Sequence, residues 1–147
     1  MVELYLEIGV VVARRAPRNE WASAYWAPCA ILPSPPKLLR GACISRSDNE
    51  DLIYAGAAAL TLNASEASHY RDNLLSDRAS LWIAPSDADD MAKVDLVTAD
   101  PYEGEALAEV YGAKIDAVPM SQTIFNSVSE FVALYYVERK FIKRSKT

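Results

Sequence analysis

The chain has 147 residues, 51% of them hydrophobic and 24% charged, with a formal net charge of −5. This length predicts one domain, residues 1–147, that can bury a core without disulfides or a structural metal. The apolar content excludes a disordered chain. The acidic charge argues against nucleic-acid binding, because basic side chains supply most of the affinity for phosphates.

No apolar run approaches the roughly 18 residues that cross a membrane, and the first residues lack the basic start of a signal peptide. We therefore expect a cytoplasmic protein without a membrane span. The two cysteines, Cys29 and Cys43, do not have the spacing of a metal site. They are predicted to be free thiols in a reducing compartment, with a disulfide as the alternative.

The first half of the chain predicts mainly strands. Alternation in residues 4–12 predicts a strand whose inward face carries Leu4, Leu6, Ile8, Val10 and Val12. The apolar run 25–32 predicts a second strand, and Pro28 within it indicates an edge strand or a bulge, because proline has no N–H for pairing. Residues 33–51 predict a surface loop, and residues 52–62 predict a further strand.

The second half alternates helices and short strands. Asn63 and Glu66 have the spacing of a capping box, which predicts a helix over residues 64–75. Asp100 and Pro101 predict the start of a second helix, which ends near Gly112. The remaining apolar runs predict strands at residues 80–84, 94–99 and 115–118.

The C-terminal helix has the clearest pattern, with Ser121 as its cap and a basic tail at residues 139–147. Its apolar stripe consists of Ile124, Val128, Phe131, Val132 and Tyr135. Together the elements predict an α+β fold. We expect a mainly antiparallel sheet of about five or six strands with three helices, the C-terminal one packed on the sheet.

Motifs for catalysis, cofactors or metals are not found, and no two of the five glycines lie close enough for a phosphate-binding loop. The sequence therefore predicts no catalytic, cofactor-binding or metal-binding residue. The single histidine, His69, is interpreted as structural, and the acidic stretch Asp87–Asp90 as a solvated loop. Cys43 is the alternative as a reactive thiol, because Arg40 and Arg46 flank it.

Aromatic and basic residues predict surfaces that bind a protein partner. The aromatic candidates follow a polar turn and are Trp21, Tyr25 and Trp26. The basic candidates surround a phenylalanine in the tail and are Arg139, Lys140, Phe141, Lys143 and Arg144. A solubilising terminus is the alternative for the tail.

Segments along nearly the whole chain resemble a proteobacterial family of small proteins encoded near molybdenum-dependent formate dehydrogenase genes. The segments are Gly9–Arg15, Trp26–Pro28, Ile31–Pro33, Tyr70–Leu74, Leu81–Ile83, Val97–Glu103, Ala117–Met120 and Tyr136–Phe141. Members often carry the label molybdopterin-guanine dinucleotide biosynthesis protein A. The glycine-rich loop of that guanylyltransferase has no counterpart in this sequence, where Gly9 stands alone.

The resemblance implies a non-catalytic accessory or assembly protein for a molybdenum-cofactor-dependent formate dehydrogenase. The partner would be the dehydrogenase or its maturation machinery. A stable small subunit of the dehydrogenase is one alternative. The other is an enzyme of cofactor maturation or sulfur handling that uses Cys43.

Overall fold

The computed structural model describes the backbone of residues 2–15, 25–85, 94–111 and 115–145. The strands found in these residues are β1 (Glu3–Arg15), β2 (Tyr25–Leu32), β3 (Cys43–Arg46), β4 (Glu50–Asn63), β5 (Ser80–Pro85), β6 (Val94–Thr98) and β7 (Asp116–Pro119). The helices are α1 (Ala67–Leu75), which follows a 3₁₀ turn (Ala64–Glu66), α2 (Pro101–Tyr111) and α3 (Gln122–Ser145).

The strands form two antiparallel sheets, with the orders β2-β1-β4-β3 and β6-β5-β7. The predicted α+β class is therefore confirmed, and its antiparallel pairing is divided between two sheets. β4 lies near β6, and β2 lies near β7, so the two sheets are neighbours. Both sheets contribute to one cluster of buried apolar side chains, together with α1 and α3.

Strand β2 forms an edge of the larger sheet and also contains a bulge. Val11 pairs with Ala30 and Val12 pairs with Pro28, which leaves Cys29 as the extra residue. Both features predicted from Pro28 are present, because a residue without an N–H is tolerated where ladder pairing is interrupted.

Strand β1 is longer than predicted, and its inward face is buried only in part. Ile8, Val10 and Val12 are in the core, whereas Leu4 is exposed. The segment predicted as a loop at 33–51 also differs, because β3 lies within it and pairs with β4. Four residues carry too little pattern to indicate a strand by themselves, so pairing with β4 decides this one.

The helix starts agree with the sequence at α2 and α3 and differ at α1. Asp100 Oδ1 accepts the N–H groups of Tyr102 and Glu103, and Ser121 Oγ accepts the N–H of Ile124. The predicted capping box at α1 is wrong, because the Asn63 side chain makes no capping hydrogen bond. The Glu66 carboxylate contacts His69 instead.

The stripe of α3 is buried as predicted at Ile124, Val128, Phe131 and Val132, and Tyr135 is partly buried. Phe131 lies in the core, with its ring edge-on to Tyr70 of α1 at 6.2 Å between centroids. Arg71 of α1 stacks on the ring of Tyr136 at 4.8 Å, which adds a second contact between the two helices. In the part of the chain that the structure describes, neither α3 nor another helix has the length and apolar character needed to cross a membrane.

Candidate functional site

The aromatic residues proposed as a partner surface are only partly described. Trp21 and the side chain of Tyr25 lie outside the described residues. Trp26 is half buried and packs against the core, and Arg14 stacks over its ring at 5.6 Å. These contacts account for Trp26 structurally, and the partner surface at these positions stays a prediction.

The basic residues proposed for docking are placed only through their backbone. Helix α3 continues to Ser145, so the segment with Arg139, Lys140, Phe141, Lys143 and Arg144 is helical. The side chains of residues 137–145 lie outside the described part, as do residues 146–147 and the acidic stretch Asp87–Asp90. The docking role of these basic residues therefore also stays a prediction.

The two cysteines are both free and have different surroundings. Burial raises the pKa of the half-buried Cys29 thiol, which disfavours its reactive thiolate. Cys43 is exposed, and its Sγ donates to the Ser45 carbonyl at 3.4 Å. Arg46 lies beside it, and a side-chain hydrogen bond with Cys43 raises the pKa of Arg46.

A polar cluster joins the N-terminal end of α1 to the start of α2. We call it the α1–α2 junction, and its residues are Glu66, His69, Asp72, Asp100 and Tyr102. His69 Nδ1 lies 2.9 Å from Glu66 Oε2 and also 2.9 Å from Asp100 Oδ2. The three ligand-type atoms all lie within 4.8 Å of one another, so they could hold a metal ion.

The junction is held by contacts from several directions. Asp100 caps α2 through Oδ1, which leaves its Oδ2 to face His69. The Tyr102 ring lies against the His69 ring at 4.5 Å between centroids, and the Tyr102 hydroxyl donates to Asp72 Oδ2 at 2.8 Å. These contacts restrain both rings and one carboxylate, which defines the position of Nδ1.

Carboxylates dominate the electrostatics of the junction. The hydrogen bond with Asp100 raises the pKa of His69, and the charges of the neighbouring carboxylates act in the same direction. The hydrogen bond to Asp72 raises the pKa of the Tyr102 hydroxyl. Both shifts have the same cause: negative charge at this place favours a bound proton or another cation.

Buried Asn73 of α1 holds the two sides of the junction together through its side-chain amide. Its Nδ2 donates to the carbonyls of Ser80 and Ala99, both at 2.8 Å, and its Oδ1 accepts the Ser80 N–H at 3.0 Å. These bonds fasten α1 to β5 and to the segment that leads into Asp100. One amide side chain therefore sets the position of α1 relative to the start of α2.

The sequence did not reveal this cluster. The sequence predicts a helix start at Asp100, which the structure confirms, and it indicates no contact between Asp100 and His69. One available signal was the spacing Glu66-x-x-His69, which places both side chains on one side of a helical turn. The partner across space, Asp100, is 31 residues further along the chain and carries no such signal.

A second feature is an apolar groove of about 300 Å³ between the start of β1 and helix α3. We call it the β1–α3 groove, and its apolar lining consists of Val2, Leu4, Leu6, Phe131, Leu134 and Tyr135. Leu134 is 62% exposed, and Val2 and Leu4 are also exposed.

The sequence was compared with known families and proteins. A family model described as protein of unknown function (DUF3305) matches residues 7–145. The chain belongs to this family. The matched range contains the α1–α2 junction and all of α3. No curated protein and no solved structure matches the chain significantly.

Proposed function

We propose that the protein is a non-catalytic accessory or assembly protein for a molybdenum-cofactor-dependent formate dehydrogenase. The sequence resemblance supports the choice of dehydrogenase. The observation that carries the binding role is the β1–α3 groove, where apolar side chains stay exposed on regular secondary structure. Exposed apolar side chains grouped in one groove fit the apolar anchors of a partner segment.

The groove suits an amphipathic segment of a partner. Leu134 projects from a helix whose neighbouring turn contributes buried Phe131, so the groove has an exposed rim and a fixed floor. The next turns of α3 carry Arg139, Lys140 and Lys143. A partner segment would therefore place apolar anchors in the groove, which Glu3 and Glu130 also line, and acidic side chains against the basic end of α3, with charge increasing the association rate.

The side-chain contacts favour binding over chemistry. His69 contacts two carboxylates and the Tyr102 ring, and Cys43 Sγ donates to a backbone carbonyl. The imidazole and the exposed thiol therefore do not form a nucleophile–base pair, which nucleophilic catalysis by Cys43 would use.

A complementation experiment tests this function. A strain lacking the gene receives the wild-type chain, Leu134→Asp or Leu39→Asp, and formate dehydrogenase activity and dehydrogenase capture are measured. Both leucines are exposed, at 62% and 86%, so both variants are expected to fold. We expect Leu134→Asp to weaken capture roughly tenfold or more, because an interface anchor contributes about 2 kcal/mol or more and tenfold corresponds to about 1.4 kcal/mol. Leu39→Asp should leave capture unchanged.

The same strains separate the alternatives. Recovery of the chain in a fixed equimolar ratio with the purified active dehydrogenase would identify a subunit. Loss of activity with Cys43→Ala, while capture stays intact, would identify chemistry at the exposed thiol. Full capture and full activity with Leu134→Asp would contradict the role of the groove.

A further inference from the structure

We infer that Glu66, His69 and Asp100 form a binding site for a divalent first-row transition-metal ion of the zinc class. This goes beyond the proposed binding role and departs from the sequence, which predicted no metal ligands. The site lies at the α1–α2 junction, away from the residues that line the β1–α3 groove.

The distances between the donor atoms agree with coordination. Nδ1 of His69 is 2.9 Å from an oxygen of each carboxylate. Donors that bind one ion with bonds of about 2.1 Å lie about 3.0 Å apart at right angles and about 3.4 Å apart in a tetrahedron. The three donor atoms lie within 4.8 Å of one another, so one ion can contact all of them once the exposed Glu66 side chain turns toward Asp100.

A proton alone satisfies this geometry poorly. Nδ1 carries at most one hydrogen, and one N–H cannot be aligned with Glu66 Oε2 and Asp100 Oδ2 together. A divalent ion replaces that hydrogen and attracts both oxygens. The second carboxylate at 2.9 Å is the observation that distinguishes this cluster from an ordinary His–Asp hydrogen bond.

The surroundings hold the ligands in place, as outer contacts do in metal sites. Asp100 is fixed by two backbone N–H groups at Oδ1, and its side chain is only 13% exposed. Tyr102 packs on the imidazole and is tied to Asp72. Two ligands are therefore preorganised, and Glu66 closes the site from the turn before α1.

The donor set selects the class of metal. An imidazole nitrogen favours zinc, iron, copper or nickel over calcium and magnesium, which prefer oxygen donors. Two carboxylates and the absence of thiolate ligands in this cluster favour a borderline ion over a soft one. His69 and Glu66 remain 36% and 40% exposed, so water can complete the coordination sphere and the ion can enter directly.

Titration with zinc chloride tests the site, using a chain without added histidines. Calorimetry measures affinity, and imidazole ¹H–¹⁵N spectra follow the only histidine of the protein. We expect one zinc ion per chain at micromolar affinity. We also expect a shift of the Nδ1 resonance that calcium does not produce.

The variants separate coordination from general attraction of cations to acidic surface. His69→Ala and Glu66→Gln should each weaken zinc binding at least tenfold, and Asp100→Asn should do the same while an oxygen remains to cap α2. Glu105→Gln removes an exposed charge of α2 outside the cluster and should leave affinity within twofold of wild type.

Three results would overturn the site: no zinc binding at millimolar zinc, equal affinity in His69→Ala, or binding without a change at the imidazole. Each result would show that the junction only connects α1 and α2 structurally. Circular dichroism of each variant verifies folding, and Glu66→Gln remains decisive if Asp100→Asn does not fold.

Discussion

The α1–α2 junction and the β1–α3 groove are built on opposite principles. In the junction, polar side chains from two helices meet at defined distances, and most have a partner on another element. In the groove, apolar side chains from β1 and α3 line a shared surface. Directional bonds fix atoms precisely enough to coordinate an ion, whereas apolar area gives affinity for a partner and tolerates different shapes.

The floor of the groove should be the most sensitive position. Phe131→Ala removes a buried ring that contacts Tyr70 and Tyr135, and should lower the free energy of unfolding by about 3–5 kcal/mol. Urea denaturation measures this loss, and Phe131→Leu should lose less because it keeps most of the volume. A cost near zero would show that the groove has no packed floor.

The support of the junction should be nearly as sensitive. Asn73→Ala leaves the Ser80 N–H and the Ser80 and Ala99 carbonyls without their partner, at a cost of about 2–4 kcal/mol. Asp72→Asn, one residue away and exposed, keeps an oxygen acceptor and should change stability by less than about 0.5 kcal/mol. Equal effects of the two variants in urea denaturation would contradict the support role of Asn73.

The direction of the stability change in Gly104→Ala tests how closely α2 packs on β5. A Cβ added to this residue of α2 would lie 2.6 Å from the Trp82 ring of β5. Alanine normally stabilises a helix relative to glycine, but here the clash should cost about 1–3 kcal/mol. Glu105→Ala is the matched exposed control. A higher melting temperature for Gly104→Ala than for the wild type would show that α2 can shift on β5 to make room for the added methyl group.

The end of α3 should contribute least to stability. A chain truncated after Glu138 keeps Phe131, Leu134 and Tyr135, so unfolding free energy should change by less than about 0.5 kcal/mol. Capture of the dehydrogenase should weaken, and capture by the intact chain should weaken with salt. Full capture by the truncated chain would restrict binding to the groove.

Periodicity made much of the fold predictable. The stripe from Ile124 to Tyr135 predicted the buried face of α3, because one helical turn repeats every 3.6 residues. Pro28 indicated an edge strand with a bulge for a chemical reason that requires no tertiary information. The predicted capping box at Asn63 failed because the Asn63 N–H donates to the Tyr70 hydroxyl and the Glu66 carboxylate contacts His69, which local spacing alone does not show.

The sequence by itself determined which residues are apolar, where most elements begin and end, and the presence of one histidine among many carboxylates. Only the tertiary structure decided that Asp100 lies beside His69 and that Leu4 and Leu134 line the same groove. The physical reason is the sequence separation over which each kind of interaction acts. Local patterns reflect backbone geometry over a few residues, whereas the junction and the groove join segments that are brought together by core packing and the bonds of Asn73.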